Sequence, residues 1–186
     1  MAILKRKVSS TSAFLPVDMM DLNNPQDVLD YAITLNVKPT PFDLDDFINK
    51  IGIELRRVVM ADDISGQLQK NANGKWVISV NSLHHQKRQR FTLAHELGHY
   101  FLHRNRAIEF IDKALYRSSQ MDSMEYEANN FAGALLMPKK ILIEFIKMKG
   151  ANAEIISDYF DVSVLAAKIR VETLQRKLRS EEHTSE

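Results

Sequence analysis

The chain has 186 residues and a formal net charge of +1, with 45% hydrophobic and 26% charged residues. This length suits one compact domain with a substantial core, and the composition excludes disordered and fibrous proteins. The small net charge gives no overall field that would attract nucleic acid or an acidic membrane. The absence of cysteine excludes disulfides, thiolate metal sites and cysteine nucleophiles, so a metal ion would have to bind His, Asp or Glu.

The first 23 residues show no sustained hydrophobic period and are predicted to form a loose arm. Serine and threonine at positions 9–12 lie where a signal peptide would need a continuous apolar run. No segment approaches the roughly 20 apolar residues that cross a bilayer. These features predict a cytoplasmic protein with no membrane partner.

Two helices are predicted before the chain changes its hydrophobic period. Asn24 and Pro25 provide a cap and a first-turn proline for the first helix, whose apolar residues continue to Leu35. The second helix is predicted to start at residues 40–43, which resemble a capping box, and to end before Gly52.

From residue 53 the apolar positions begin to alternate, which is typical of strands. Residues 53–60, 64–69 and 76–80 form three such segments. Asn73 and Gly74 lie between the last two, and an Asn-Gly pair marks a hairpin turn. The sequence therefore predicts a small antiparallel sheet of about three strands.

The helical period returns at about residue 86 and continues to about residue 104. After a polar connection, Asp122 or Ser123 is predicted to cap a helix that ends before Pro138. Three further helices follow, and the last two are separated by a short turn at 161–163. The predicted fold class is α+β, and the predicted helices cover residues 86–104, 122–136, 138–150, 153–160 and 164–178.

The helix at 86–104 contains the sequence His-Glu-Leu-Gly-His at residues 95–99. Histidines four positions apart lie on one helix face, so the imidazoles of His95 and His99 can converge on one zinc ion at about 2.0–2.1 Å. Glu96 projects to a neighbouring flank, where it can act as general base on a water molecule. We therefore predict His95 and His99 as metal ligands and Glu96 as the catalytic residue.

A catalytic zinc ion needs a third protein ligand. His103 continues the row of His95 and His99, but it lies about 12 Å along the helix axis from His95. That distance is too long for both to bind one ion, so we predict His103 at the rim of the site.

The helix at 122–136 offers two carboxylates for the third position. Glu127 is nearer the centre of the apolar stripe of this helix, and it is the predicted metal ligand. Glu125 follows Asp122 by three positions, which suits a capping role instead.

Two motifs resemble the ImmA/IrrE family of metallo-endopeptidases. The first is Gln-Arg-Phe-Thr-Leu-Ala-His-Glu-Leu-Gly-His at residues 89–99, and the second is Glu-Ala-Asn-Asn-Phe-Ala-Gly-Ala-Leu-Leu-Met-Pro at residues 127–138. The likeness covers about residues 25–178. It also includes residues 65–66, 78–81 and 159–163.

The resemblance implies a compact peptidase domain with a zincin-like helical core, in which His95, His99 and Glu127 hold zinc and Glu96 is the base. It also implies a protein substrate, namely a repressor-type transcription regulator or an antitoxin-like regulator in mobile elements, stress responses or toxin–antitoxin modules. Zinc is the expected cofactor, although two histidines and a carboxylate also accept manganese or iron.

The sequence does not single out one residue for substrate contact or for stabilisation of the oxyanion. Tyr100, His103 and Tyr126 are the candidates, since they are close to the motif residues in the chain. The alternative function is a regulatory module that binds DNA or protein and has a structural or latent metal site. DNA binding is disfavoured because the last predicted helix starts with Val164 and Leu165, which suit packing rather than contact with bases.

The predicted organisation is one peptidase domain at 24–150 and an extension of that domain at 151–178 that resembles a helix-turn-helix. Residues 179–186 do not continue the apolar helical pattern. They resemble the translation of a sequencing-adapter oligonucleotide, so we expect a non-native tail.

Overall fold

The computed structural model describes residues 22–105, 109–113 and 119–183. The arm predicted for residues 1–23 lies outside this part of the chain except for its last two positions. The end of the predicted tail, residues 184–186, also lies outside it.

Both N-terminal helices begin at polar caps, the first at Asn24 as predicted and the second at Asp43 rather than at Thr40, the cap residue of the predicted capping box. Helix α1 spans Pro25–Thr34, and the side chain of Asn24 accepts a hydrogen bond from the backbone N–H of Gln26 at 2.8 Å. Helix α2 spans Leu44–Lys50. It is capped by Asp43, which accepts a hydrogen bond from the backbone N–H of Asp46 at 3.0 Å. Both caps satisfy donors that the first helical turn leaves without a partner.

The sheet has three strands that follow the first two helices in sequence and a fourth that lies between the third and fourth helices. Its strands are β1 (Glu54–Val58), β2 (Ile64–Lys70), β3 (Trp76–Asn81) and β4 (Glu109–Lys113). Their order across the sheet is β1-β3-β2-β4. Every residue of β3 is buried, so this strand anchors the sheet in the core.

The predicted α+β class is confirmed, but the sheet differs from the prediction in two ways. Strand β1 is parallel to β3, while β2 is antiparallel to both of its neighbours. A fourth strand, β4, forms in the connection that carried no hydrophobic period. Alternation reveals a strand but not its pairing direction, and an edge strand can form because its neighbour offers free backbone groups.

Five helices follow the hairpin in the described part of the chain. They are α3 (Gln86–His103), α4 (Ser119–Leu136), α5 (Lys139–Lys149), α6 (Ala153–Phe160) and α7 (Val164–His183). Helix α3 contacts both β2 and β3, and it also contacts α4. It therefore lies between the sheet and α4, with its segment from Thr92 to Phe101 buried.

Two helix boundaries correct the predictions. Helix α4 begins at Ser119 rather than near Asp122, and α7 continues to His183 rather than ending near 178. Residues 179–183 lack apolar side chains and so give no periodic signal, yet arginine and glutamate are good helix formers.

One hydrophobic core connects the N-terminal helices, the sheet, α3, α4 and the last two helices. Polar contacts also hold the C-terminal pair. Lys87 at the start of α3 donates to the Ser157 hydroxyl at 3.0 Å, and Arg170 Nε donates to the Met137 carbonyl at 3.1 Å. In the described residues, no helix combines the length and apolar character needed to cross a bilayer.

Candidate metal centre

His95 and His99 lie on the buried face of α3, as their spacing predicts. The side chains of His95 and His99 are 4% and 2% exposed, and their Nε2 atoms are 3.0 Å apart. Because an α-helix returns to the same face after about four residues, the two rings meet on one side of the helix. This arrangement directs a pair of nitrogen ligands toward one point.

The side chain of Glu125 on α4 completes a group of three. Its Oε2 atom is 3.1 Å from Nε2 of His95, and its Oε1 atom is 3.2 Å from Nε2 of His99. Four tetrahedral ligands at about 2.0 Å from zinc are separated by about 3.3 Å. The three mutual distances are close to that value, so His95, His99 and Glu125 could hold one metal ion.

The acid beside the histidines is therefore not the one that the sequence analysis assigned. Glu127 contacts His103 instead, with its Oε2 atom 3.0 Å from Nε2 of that ring. Glu125 has no capping position, because α4 begins six residues before it. Residues two apart in a helix are about 200° apart around the axis, so Glu125 and Glu127 lie on opposite flanks of the apolar stripe.

A very close contact between α3 and α4 sets the position of Glu125. A Cβ atom at Gly98 would lie 3.0 Å from Ala128 Cα and 3.1 Å from the Ala128 carbonyl oxygen. Only glycine at position 98 allows the two backbones to approach this closely. Glu125 precedes Ala128 by almost one helical turn, so this contact places its side chain over the two histidines.

The pKa shifts of Glu125 and His99 are in the directions that favour metal binding. Burial alone would raise the pKa of Glu125, but hydrogen bonds and charge interactions with His95 and His99 outweigh it and lower that pKa well below its ordinary value. Burial lowers the pKa of His99. The two shifts favour an ionised Glu125 and a neutral His99, which are the forms that bind metal ions.

His95 and His99 each have a hydrogen-bonding partner for the second ring nitrogen. His95 Nδ1 lies 3.1 Å from Oδ1 of Asn129, and His99 Nδ1 lies 3.1 Å from Nδ1 of His103. Partners of this kind fix the tautomer and orientation of a metal-binding imidazole. Sequence reasoning did not identify Asn129, because Asn130 follows it and no periodic signal separates two adjacent polar residues.

Glu96, the predicted base, is fully buried between α3 and β2. A Cβ atom at Gly66 of β2 would lie 2.8 Å from Oε1 of Glu96 and would also collide with the side chain of Thr92. The strand can pass this close only because position 66 has no side chain. Gly66 therefore leaves the space that the Glu96 carboxylate occupies.

The three candidates for substrate contacts occupy different environments. His103 is fully buried rather than at the rim, and Tyr100 is 2% exposed with its ring edge-on to Trp76 at 5.8 Å. Glu96 and the two metal-site histidines are as deeply buried, so burial does not test a substrate contact by Tyr100 or His103, and that contact stays a prediction. Tyr126 is 68% exposed beside Glu125, so a substrate contact by Tyr126 stays a prediction.

Comparisons with known proteins agree with the geometry. The family model for the IrrE N-terminal-like domain, a peptidase family, matches residues 48–172. The metallopeptidase ImmA of Bacillus subtilis (strain 168) is 38% identical over 102 residues, which are 53% of this chain and 57% of that protein. The chain thus aligns with little more than half of the length of this relative.

A solved structure shares the fold. It is a Mycobacterium tuberculosis transcriptional regulator, with a TM-score of 0.52 and 14% sequence identity, and the match covers 77% of this chain and 44% of that chain. The family match spans α3, α4 and the segment between them, and so includes His95, Glu96, His99 and Glu125. The chain belongs to the ImmA/IrrE family of metallopeptidases.

Proposed function

We propose that this protein is a zinc-dependent endopeptidase that hydrolyses a peptide bond in a protein partner, namely a repressor-type transcription regulator. The observation that carries the proposal is the meeting of His95, His99 and Glu125 with mutual distances of 3.0–3.2 Å. Two imidazoles and one carboxylate with an open fourth position are typical of catalytic zinc sites in peptidases.

A zinc ion in this site supplies Lewis-acid chemistry, because it acidifies water and polarises a peptide carbonyl. The role proposed for Glu96 is proton transfer. Its carboxylate accepts a proton from the water that attacks the carbonyl carbon, and it then delivers that proton to the amide nitrogen as the C–N bond breaks. The bond cleavage thus consumes one water molecule and leaves Glu96 in its starting form.

The choice of substrate rests on the resemblance of the two motifs to ImmA/IrrE peptidases. The metal site lies at the contact of α3 with α4, and the exposed ring of Tyr126 is beside Glu125 on the same helix. An exposed aromatic side chain is a common anchor for a protein partner. We therefore assign to Tyr126 a contact with the substrate polypeptide.

The experiment is cleavage of a repressor-type regulator from the same genome by the zinc-loaded full chain. Glu96→Gln is expected to lower the cleavage rate by about 10²–10⁴-fold, because proton transfer to and from water is lost. The matched control is Glu144→Gln, a change at an exposed glutamate of α5. Zinc content should be equal in all three proteins, and cleavage that is absent or independent of Glu96 would contradict the proposal.

DNA binding by α6 and α7 is the weaker candidate. Near the start of α7, Lys168 is exposed, but Arg170 is 9% exposed and donates to the Met137 carbonyl. The first turn of α7 presents Val164 and Leu165 to solvent, 38% and 66% exposed. A helix that reads bases presents polar side chains there.

A further inference from the structure

We propose that His103 and Glu127 are positioning residues of the metal centre, which together hold His99 in the tautomer whose Nε2 atom is free to bind the metal. The inference rests on the proposed zinc site. It concerns two residues that the sequence pattern placed elsewhere, one at the rim and one in the ligand set.

The three side chains form a continuous series of short contacts. His99 Nδ1 is 3.1 Å from His103 Nδ1, and His103 Nε2 is 3.0 Å from Oε2 of Glu127. His103 is fully buried, whereas the side chain of Glu127 is 46% exposed. The series therefore runs from the metal site through a buried ring to a carboxylate at the surface.

The direction of each hydrogen bond follows from the carboxylate of Glu127, which ends the series. An ionised carboxylate only accepts hydrogen bonds, so Nε2 of His103 must carry a proton. In neutral His103 the Nδ1 atom then has a free lone pair, and it can accept a hydrogen bond from Nδ1–H of His99. With its proton on Nδ1, His99 presents a bare Nε2 toward Nε2 of His95 and the carboxylate of Glu125.

His95, the other proposed histidine ligand, is held in the same Nδ1–H tautomer by Asn129. Oδ1 of Asn129 lies 3.1 Å from Nδ1 of His95, and an amide oxygen is always an acceptor. An imidazole accepts at Nδ1 in only one of its neutral tautomers. His103 therefore needs Glu127 to select that tautomer, whereas Asn129 needs no further residue.

Zinc affinity of the full chain, measured by competition with a chromophoric chelator, tests the proposal. His103→Phe keeps a ring and removes both nitrogen atoms, and it should weaken zinc binding by about ten- to a hundredfold. Glu127→Leu should weaken binding by a smaller factor. Because Glu127 acts only through His103, adding Glu127→Leu to His103→Phe should cause no further loss.

A direct role of Glu127 as a metal ligand makes the opposite prediction. Glu127→Leu would then weaken zinc binding as much in the His103→Phe protein as in the wild type, and that result would overturn the proposal. Wild-type zinc affinity in His103→Phe would also overturn it. Glu144→Leu on α5, an exposed position, is the matched control and should leave the affinity unchanged.

His103→Asn keeps the test valid if His103→Phe does not fold. The Oδ1 atom of asparagine takes the place of Nδ1 of histidine and accepts without help from another residue. This variant should retain most of the zinc affinity, and Glu127→Leu should have no effect in its background. A large effect of Glu127→Leu there would contradict the proposal.

Nitrogen NMR of the zinc-free chain gives a readout that does not depend on activity. The His99 ring should carry its proton on Nδ1 in the wild type and shift toward the Nε2–H tautomer in Glu127→Leu. A wild-type His99 with its proton on Nε2 would overturn the inference. Zinc binding without cleavage of any regulator would end the peptidase proposal alone, while cleavage with unchanged zinc affinity in His103→Phe would end only the positioning proposal.

Discussion

The contact between α3 and α4 and the C-terminal pair α6–α7 use polar and apolar residues in opposite ways. At the α3–α4 contact, His95, His99 and His103 are buried and take part in hydrogen bonds or ion pairs. On α7, by contrast, Leu165 and Ile169 are 66% and 55% exposed.

The difference indicates where function has shaped the chain. A buried polar group costs free energy unless it is paired, so a fold buries several of them together only where they complete one another. Scattered exposed apolar side chains cost little and need no special explanation. The buried polar series therefore indicates a site, whereas the exposed face of α7 does not by itself indicate one.

Among the substitutions that test this difference, Glu125→Ala is expected to have the largest effect. It removes one of three ligand atoms from the proposed site, and zinc affinity should fall by roughly a thousandfold. This loss corresponds to about a third of the binding free energy of a typical protein zinc site. The measurement is chelator competition on the full chain. Stoichiometric zinc in Glu125→Ala together with its loss in Glu127→Ala would restore the ligand set that the sequence pattern suggested.

Gly98→Ala should have the next largest effect, at the closest approach of α3 and α4. The added Cβ would lie 3.0 Å from Ala128 Cα, a backbone atom that cannot turn away. We expect the free energy of unfolding to fall by about 1–3 kcal/mol in urea titrations.

Gly133→Ala is the control for that variant, because it lies in α4 but faces α7. Its Cβ would be 3.7 Å from Cδ of Arg170, an ordinary contact. Alanine is a better helix former than glycine, so this variant should be more stable by about 0.5–1 kcal/mol. Equal effects of the two substitutions would show that the α3–α4 contact is no tighter than the α4–α7 contact.

Arg170→Ala tests how firmly the C-terminal pair is attached to the rest of the domain. The guanidinium donates from Nε to the Met137 carbonyl at 3.1 Å, and burial lowers the pKa of Arg170 to about 10. Loss of this bond at a buried carbonyl should reduce stability by about 1–2 kcal/mol, measured by urea unfolding. Lys168→Ala, at an exposed position of the same helix, should change it by less than about 0.5 kcal/mol.

The smallest effect is expected for Leu165→Gln on the exposed face of α7. The side chain is 66% exposed, so replacing it with a polar one of similar size should change the free energy of unfolding by less than about 0.5 kcal/mol. Thermal unfolding of wild type and variant is sufficient to measure this. A loss above 1 kcal/mol would mean that Leu165 is covered in solution.

Much of the fold could be read from local patterns. The cap at Asn24 and the hairpin at Asn73 and Gly74 depend on residues within a few positions of one another, and the structure has them where the patterns predict. Strand β4 could not be predicted, because its residues acquire a partner only when β2 presents a free edge.

The site likewise combines features set by local sequence with features set by tertiary contacts. The spacing of His95 and His99 specifies a shared helix face without any knowledge of the fold, since the helical repeat is a local property. The burial of His103 depends on the helix that covers it, and its contact with Glu127 joins residues 24 positions apart. No spacing rule within one helix contains that information.

By itself, the sequence determined that a helix carries two histidines and a glutamate in an arrangement suited to a metallopeptidase, and that the next helix offers a carboxylate. Only the tertiary structure decided which carboxylate lies beside the two histidines. Glu125 and Glu127 lie on opposite flanks of one apolar stripe, at similar angles from its centre. The hydrophobic pattern, from which the sequence analysis selected Glu127, therefore does not distinguish them. The choice comes from the contact of Gly98 with Ala128, because the rotation of α4 against α3 is set where the two backbones meet.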